Sequence, residues 1–223
     1  MSNSSRLRQT HEAIGGGKTI FNEDAKSLEK NLYGQVENLI SILDSKYPDV
    51  EFRLRKKITK DEIAKKARRR SYTPCNPNSC IKPDGGILEA FIGKKWYPIL
   101  VCEAKKQGTN NARIKEGLKR QAAGNAVERA AKNYLELMIY FEHLSYFPYI
   151  IFVTGCDFYE GSSINDRLDA MTRYYPRNVD YTFNSKQLAT IYVQEEAFTP
   201  NDIFDKIYSM SVKVIRRILR DEG

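Results

Sequence analysis

The stretch PDGGILEAFIGKKWYPILVCEAK, residues 83–105, decides the fold of this chain. It contains two apolar runs, Ile87 to Ile92 and Trp96 to Cys102, which are separated by Gly93-Lys94-Lys95. Two such runs around a short break that contains glycine are typical of an antiparallel hairpin. We therefore predict a hairpin whose second strand ends beside the loop that opens the first.

Two acidic residues and a lysine lie at the base of this hairpin. Asp84 precedes the first strand, whereas Glu103 and Lys105 follow the second. Side chains alternate along a strand, so Lys105 projects from the same face as Glu103. Asp84 and Glu103 can share one hard divalent cation, with the backbone carbonyl of Ala104 as a further ligand. This arrangement suits phosphodiester hydrolysis, because a metal ion and a lysine both neutralise charge on a scissile phosphate.

Carboxylates and lysines at strand ends also form ordinary solvated ion pairs, and this alternative stays open. The residues before Glu103, Ile99 to Cys102, are apolar and predict a buried strand. An acidic residue directly after such a strand needs a partner or a metal ion, since an unpaired buried charge is costly. The apolar run therefore favours the metal site.

The chain before the hairpin predicts a long helix, a strand and a short helix. Residues 1–17 are rich in Ser, Asn and Gly, which indicates a flexible N-terminal arm. From Asn22, which can act as an N-cap, apolar residues recur at helical spacing until Tyr47-Pro48. Apolar and charged residues alternate over 50–55, as in a half-buried strand, and Thr59-Lys-Asp-Glu62 then opens a basic helix as a capping box.

The chain after the hairpin predicts two further strands among helices. A mostly helical stretch runs from about Asn111 to Leu144, with an interruption near Gly124. Pro148 to Thr154 is a continuous apolar run, typical of a central strand that is buried on both faces. Leu188 to Val193 is a candidate strand, and Thr199-Pro-Asn-Asp202 caps a final amphipathic helix. This order predicts an α/β fold with a mixed five-stranded sheet flanked by helices.

The composition favours a nucleic-acid partner and no membrane. The 223 residues suffice for one domain, which we expect over residues 18–223. They include 36 Lys and Arg against 28 Asp and Glu, a net charge of +8 that suits a polyanion, although a merely basic soluble protein stays open. No run approaches the roughly 20 apolar residues that span a bilayer, and the first residues contain no apolar signal core. We expect a cytoplasmic protein.

The cysteines and histidines indicate neither a zinc site nor a histidine-based catalytic site. The four cysteines are Cys75, Cys80, Cys102 and Cys156. Their spacing matches neither a zinc knuckle nor a disulfide framework, so we expect free thiols. His11 and His143 are the only histidines and lie far apart in the sequence. Catalysis must therefore come from carboxylates and lysines.

A second segment, Ala122 to Arg129, has the composition of a DNA-reading element. Its small residues allow close approach of the backbone to a ligand, and Asn125 and Arg129 lie four apart on one helix face. Asn pairs with adenine in the major groove, and Arg donates to purine acceptors. A small-residue contact between helices, with a surface pair of Glu128 and Arg129, is the alternative.

These residues resemble the EcoRI-like restriction endonucleases. The matching strings are IKPDGG at 81–86, EAKxQG at 103–108, AAGNAVER at 122–129 and FPY at 147–149. They occur in the same order as in the family and with similar gaps. The resemblance is strong from about Tyr47 to Phe158 and weaker on either side.

The resemblance implies a PD-(D/E)xK core, Mg²⁺, a homodimer and a type II enzyme. Such an enzyme cuts both strands of double-stranded DNA at a palindrome that contains AATT and leaves 5′-phosphates. A DNA methyltransferase acting on the same site is an implied partner. Asp84 and Glu103 match metal ligands, with Ala104 beside them, and Lys105 matches the catalytic lysine. The implied DNA-binding residues are Lys82, Gln107, Gln121, Ala122, Ala123, Gly124, Asn125, Glu128, Arg129 and Arg167.

The sequence departs from the family at the edges of the reading surface. Gln121 replaces a methionine, Ala170 replaces one of two arginines near Arg167, and the segment after Phe158 is shorter. These changes concern the outermost base pair of the site. Two other functions stay open: a PD-(D/E)xK nuclease of DNA repair or junction resolution, and a non-catalytic DNA-binding protein on the same scaffold.

Overall fold

A computed structural model describes residues 15–67, 73–106, 126–144, 146–158, 161–171 and 190–222, and a few single positions between 108 and 119. Within the helices, side chains are described from Lys26 onward in the first and from Asn133 onward in the third. The elements in chain order are α1 (Gly15–Lys46), β1 (Glu51–Arg55), β2 (Ile58–Thr59), α2 (Lys60–Lys66), β3 (Cys80–Ile81), β4 (Ile87–Ile92), β5 (Lys95–Lys106), α3 (Ala126–Phe141), β6 (Tyr149–Thr154), α4 (Ser163–Met171), β7 (Thr190–Gln194) and α5 (Pro200–Glu222).

Five strands form one mixed sheet in the order β1-β4-β5-β6-β7. β1, β4 and β5 pair antiparallel, whereas β6 and β7 continue the sheet in parallel. All six residues of β6 are buried, as expected for a central strand that is covered on both faces. The predicted α/β fold with a mixed five-stranded sheet flanked by helices is confirmed.

The predicted hairpin is formed by β4 and β5, and its turn is tighter than expected. Ile92 pairs with Lys95, so only two residues form the turn. Gly93 and Lys94 both have positive φ, at 57° and 70°, which matches a two-residue turn of type I′. β5 also runs beyond Cys102, the end that the apolar run indicated, because its last six residues pair with β6.

Two apolar layers cover the sheet. On one face, α1 and α5 contact each other and β5, and Leu32, Leu39 and Ile215 are fully buried there. On the other face, α3 packs with Leu137 against a cluster that contains Val101 of β5. Fully burying one such aliphatic side chain contributes about 1.5–3 kcal/mol. The site described below lies where β5 emerges between these two layers.

The helix ends show where the local sequence was sufficient to predict a helix boundary. Thr59 caps α2 in the predicted capping box with Glu62, and Thr199 caps α5 together with Asp202. α1 begins at Gly15 and not after Asn22, so the last three residues of the expected arm are helical. Residues 1–14 lie outside the described residues, and the boundary of the arm stays a prediction.

Three further features complete the fold. The pair of short strands β2 and β3 and the helix α4 were not predicted from the sequence. None of the four cysteines, all of which the structure describes, forms a disulfide bond, as expected. In the part of the chain that the structure describes, every helix is too short or too polar to cross a membrane.

Candidate active site

The turn from Pro83 to Gly86 docks on the free edge of β5. The last β4 partner of β5 is Val101, so the backbone groups of β5 beyond it need other partners. The Gly85 N–H donates to the carbonyl of Cys102 at 3.0 Å, and the Ala104 N–H donates to Asp84 Oδ2 at 3.0 Å. The turn therefore replaces the missing strand and fixes the carboxylate of Asp84 against β5.

Two glycines permit this close approach. A Cβ atom on Gly85 would lie 2.3 Å from Cys102 Sγ and 3.1 Å from Leu32 Cγ, so any side chain would collide with β5 and α1. Gly86 has φ +75°, a backbone conformation that other residues rarely adopt. The Gly86 N–H closes the turn by donating to the carbonyl of Pro83 at 3.0 Å.

Asp84, Glu103 and Lys105 form one charged cluster. Lys105 Nζ lies 2.6 Å from Asp84 Oδ2, 2.8 Å from Glu103 Oε2 and 3.1 Å from the carbonyl oxygen of Ala104. The side chain of Glu103 is fully buried, whereas those of Asp84 and Lys105 are 20% and 18% exposed. The sequence-predicted catalytic residues are thus brought together.

The two carboxylates determine the protonation state of Lys105. Burial lowers the pKa of Lys105, but the charges of Glu103 and Asp84 and the hydrogen bond to Asp84 outweigh it, so the pKa is raised. With these neighbours Lys105 remains a cation at neutral pH. It can donate hydrogen bonds and neutralise negative charge, and it is a poor general base in this arrangement.

Asn133 is a site residue that sequence reasoning missed. Its side-chain amide donates to Glu103 Oε1 at 2.8 Å from α3, which covers the face of β5 that carries Glu103. A signal was present in the sequence. Asn133 falls at helical spacing with Leu137 and Tyr140, both buried, so it is a polar residue on the core face of an amphipathic helix.

Glu29 was missed as well. It lies on α1, one turn before Leu32, whose side chain occupies the space that a Cβ atom on Gly85 would approach. Partial burial and the charge of Asp84 raise the pKa of Glu29, although Lys105 opposes the shift. This exposed carboxylate is therefore within electrostatic reach of the cluster. Its position on the polar side of α1 gave no sequence signal.

The donor atoms of the cluster suit a hard divalent cation. Among the described residues, Glu103 Oε2 is buried without a well-directed hydrogen bond, and its ionic neighbour is Lys105. Carboxylate and carbonyl oxygens are the ligands that Mg²⁺ prefers. No group of three or more His, Cys, Asp or Glu side chains that could hold a metal ion occurs in the described part. A cation here would rely on Asp84, Glu103 and backbone or solvent oxygens.

The predicted DNA-binding residues are only partly described. Lys82 is exposed two residues before Asp84 and lines an open groove of about 560 Å³ with Arg55, Lys56 and Lys57. Arg167 is exposed on α4. Glu128 and Arg129 belong to the first turn of α3, but their side chains lie outside the description. The predicted residues that lie entirely outside the described chain are Gln107, Gln121, Ala122, Ala123, Gly124 and Asn125.

Comparisons with known proteins identify the family of this chain. Residues 14–192 match the model of the restriction endonuclease EcoRI family. The type II restriction enzyme EcoRI of Escherichia coli is 32% identical over 98% of this chain and 95% of its own length. The type II restriction enzyme RsrI of Cereibacter sphaeroides is 34% identical over 69% of this chain and 60% of its own length.

The fold and these matches define a type II restriction endonuclease, a site-specific deoxyribonuclease. The mixed sheet with its flanking helices is accordingly a restriction-endonuclease-like core. The chain belongs to the restriction endonuclease EcoRI family. Enzymes of this type act on double-stranded DNA within restriction-modification systems and generally use a divalent metal ion.

Proposed function

We propose that this restriction endonuclease hydrolyses DNA with Mg²⁺ at the cluster of Asp84, Glu103 and Lys105. The observation that carries the proposal is the convergence of two carboxylates on one ammonium group, at 2.6 Å and 2.8 Å. An uncompensated pair of acidic groups at this place would repel the phosphate of DNA. A cation between them reverses the sign of the local field.

Asp84 and Glu103 are the proposed metal ligands, with the carbonyl of Ala104 as a further one. Bound Mg²⁺ would polarise the scissile phosphate and lower the pKa of a water molecule. The buried Glu103 oxygen that lacks a well-directed hydrogen bond supports this assignment. So does the placement of Asp84 by the Ala104 N–H, which fixes one carboxylate oxygen on the edge of β5.

Lys105 is proposed to neutralise the charge that develops on the phosphate. As a hydrogen-bond donor beside both carboxylates, it can also orient the attacking water. The water oxygen forms a bond to phosphorus and releases a proton to solvent, while the bond from phosphorus to the 3′ oxygen breaks and that oxygen takes up a proton from solvent. The products then carry a 5′-phosphate and a 3′-hydroxyl group.

The proposed substrate is a short palindrome that contains AATT, cut by a homodimer. Asn125 and Arg129 are the proposed readers of the adenines, in a segment with Gln121, Ala122, Ala123 and Gly124, and Glu128 is proposed to orient Arg129. Lys82, Gln107 and Arg167 are proposed to contact DNA. A DNA methyltransferase that modifies the same sequence is the proposed partner within a restriction-modification system.

The first prediction tests the catalytic cluster. Asp84→Asn and Glu103→Gln should abolish Mg²⁺-dependent cleavage while DNA binding survives, because each change removes a metal ligand and no base contact. Lys105→Ala should slow cleavage about 10²- to 10³-fold, the usual effect of losing one donor to a developing anion. Single-turnover cleavage of plasmid DNA measures the rates, and gel-shift assays without metal measure binding.

Matched controls are available on α2. Asp61 and Lys65 form an exposed ion pair, so Asp61→Asn and Lys65→Ala repeat the same chemical changes outside the cluster. Both controls should cut at the wild-type rate and yield discrete DNA fragments. Near-wild-type cutting by any of the three cluster variants would refute the assignment of the active site.

A further inference from the structure

The amide of Asn133 contacts Glu103 from the helix that begins at the DNA-reading segment. Asn133 Nδ2 donates to Glu103 Oε1 at 2.8 Å, while Lys105 lies beside the other oxygen, Oε2. The two carboxylate oxygens of Glu103 therefore have different neighbours. One is held by a neutral donor, and the other faces the charged cluster.

We propose that Asn133 is a positioning residue that orients the Glu103 carboxylate for the metal ion, an inference that rests on the proposed function of the cluster. Glu103 is fully buried, so no solvent can replace a lost donor. The amide donates to Oε1 and leaves Oε2 beside Lys105. A partner of this kind fixes the geometry of a metal ligand.

The position of Asn133 in α3 connects the proposed DNA-reading segment to the Glu103 carboxylate. α3 begins at Ala126, and Asn133 follows Arg129 by four residues, which is about one helical turn on the same face. Tyr134 and Leu137, which follow Asn133 within the next turn of the helix, are buried against the sheet. A displacement of α3 when its first turn meets DNA would therefore move the donor of the Glu103 carboxylate.

The experiment measures metal binding directly. Mn²⁺ is titrated into the wild-type protein, and free Mn²⁺ is counted by electron paramagnetic resonance. Asn133→Ala and Asn133→Leu both remove the donor, and the leucine variant retains most of the side-chain volume. We expect their Mn²⁺ affinity to fall about 10- to 100-fold, the usual effect of losing a hydrogen-bond partner of a metal ligand. Their metal-free DNA affinity should change less than twofold.

Control variants distinguish the loss of the Asn133 donor from misfolding and from a general effect of the substitutions. Asn38 is exposed in the middle of α1, so Asn38→Ala and Asn38→Leu apply the same substitutions without touching the site. Thermal melting of all variants identifies any that fail to fold, and Asn133→Gln, which retains an amide donor, should recover part of the affinity. The concentration of Mg²⁺ that gives half-maximal cleavage should rise in parallel with the loss of Mn²⁺ binding.

The possible outcomes distinguish failure of the inference about Asn133 from failure of the proposed function. Wild-type Mn²⁺ affinity in both folded Asn133 variants would overturn the inference while the catalytic cluster stands. A loss of DNA affinity with unchanged Mn²⁺ binding would assign Asn133 to DNA contact and would also overturn it. If the wild-type protein shows no Mn²⁺ site that Glu103→Gln removes, the proposed function fails together with the inference.

Discussion

The charge of Lys105 is maintained by the two carboxylates beside it. The charges of Glu103 and Asp84 raise the pKa of Lys105 despite its burial. A group whose pKa is raised on folding stabilises the fold below its unfolded pKa, here the ordinary value of 10.5. That contribution disappears only as the pH rises through the raised pKa, so Lys105 keeps its positive charge across the physiological range.

Gly85 provides the second prediction. Gly85→Ala should destabilise the protein by about 1–3 kcal/mol, because the new methyl group would overlap the Sγ atom of the buried Cys102. Urea denaturation followed by circular dichroism measures the change in the free energy of unfolding. Combining it with Cys102→Ala should cost less than the sum of the two single changes, since the second substitution removes the colliding atom.

Gly34 is the matched control for this substitution. It lies in α1, and a methyl group on its Cα would have no neighbour within 4 Å, so Gly34→Ala adds a methyl group in open space. Alanine is the better helix former, and a gain of about 0.5–1 kcal/mol is expected. Equal effects of Gly85→Ala and Gly34→Ala would contradict the steric account of the turn.

Some residues of the site could be predicted from the sequence, and others could not. Asp84 and Glu103 were placed together because a hairpin joins them over a short stretch of chain. Asn133 comes from a helix that starts beyond the hairpin, so its proximity to Glu103 depends on the packing of α3 on the sheet. Glu29 comes from the opposite layer, and no local pattern links it to Asp84.

The third prediction concerns Glu62, which is part of the N-terminal cap of α2. Its carboxylate accepts the Thr59 N–H at 2.8 Å and also pairs with Arg55. Burial raises the pKa of Glu62, but the hydrogen bond from Thr59 and the charge of Arg55 outweigh it, so the pKa is lowered. Glu62→Ala should lower the free energy of unfolding at pH 7 by about 1 kcal/mol, the usual worth of a helix cap.

The pH dependence of Glu62→Ala has a definite sign. A lowered pKa means that the carboxylate stabilises the fold above its unfolded pKa, 4.5, and loses this effect as the pH falls through the folded pKa. The difference between wild type and variant should therefore shrink in acid. Denaturation curves at pH 7 and at successively lower pH test this. A difference that stays constant in acid would assign the effect to lost packing.

The elements differ in how far sequence determines them. The hairpin of β4 and β5 and the capping box of α2 depend on neighbouring residues, so they could be predicted. β2 and β3 have two residues each, which is too short for any periodicity. The start of α1 at Gly15 was missed because three glycines are poor helix formers. The parallel pairing of β5 with β6 depends on tertiary packing.

The fourth prediction concerns the whole molecule, which we expect to be a two-fold symmetric dimer. One active site per chain must cut each strand of a palindrome, and an isologous interface supplies the required symmetry. Sedimentation velocity of the protein without DNA should give twice the mass of the chain, 25.7 kDa. A species that is monomeric at micromolar concentration and remains so on its DNA site would contradict the proposed homodimer.

The last prediction is that cleavage requires a central AATT but not the outer G·C pair of GAATTC. The segment from Ala122 to Arg129 contains the residues that we propose to read the adenines and to lie along the pyrimidines. Gln121 exchanges an apolar side chain for a hydrogen-bonding one, and Ala170 replaces an arginine, the residue type that most often reads guanine O6 and N7. Both changes concern the outer pair.

A pool of duplexes randomised over eight positions provides the test, since sequencing the cut ends reports every accepted site. All cleaved products should contain AATT. The base pair that flanks AATT should either vary among the products or differ from the G·C pair of GAATTC. Asn125→Ala should weaken discrimination at the central A·T pairs by about 1–3 kcal/mol, the worth of a bidentate base contact. Uniform loss of affinity on all sequences would show that the segment positions DNA without reading it, and products without AATT would defeat the specificity proposal.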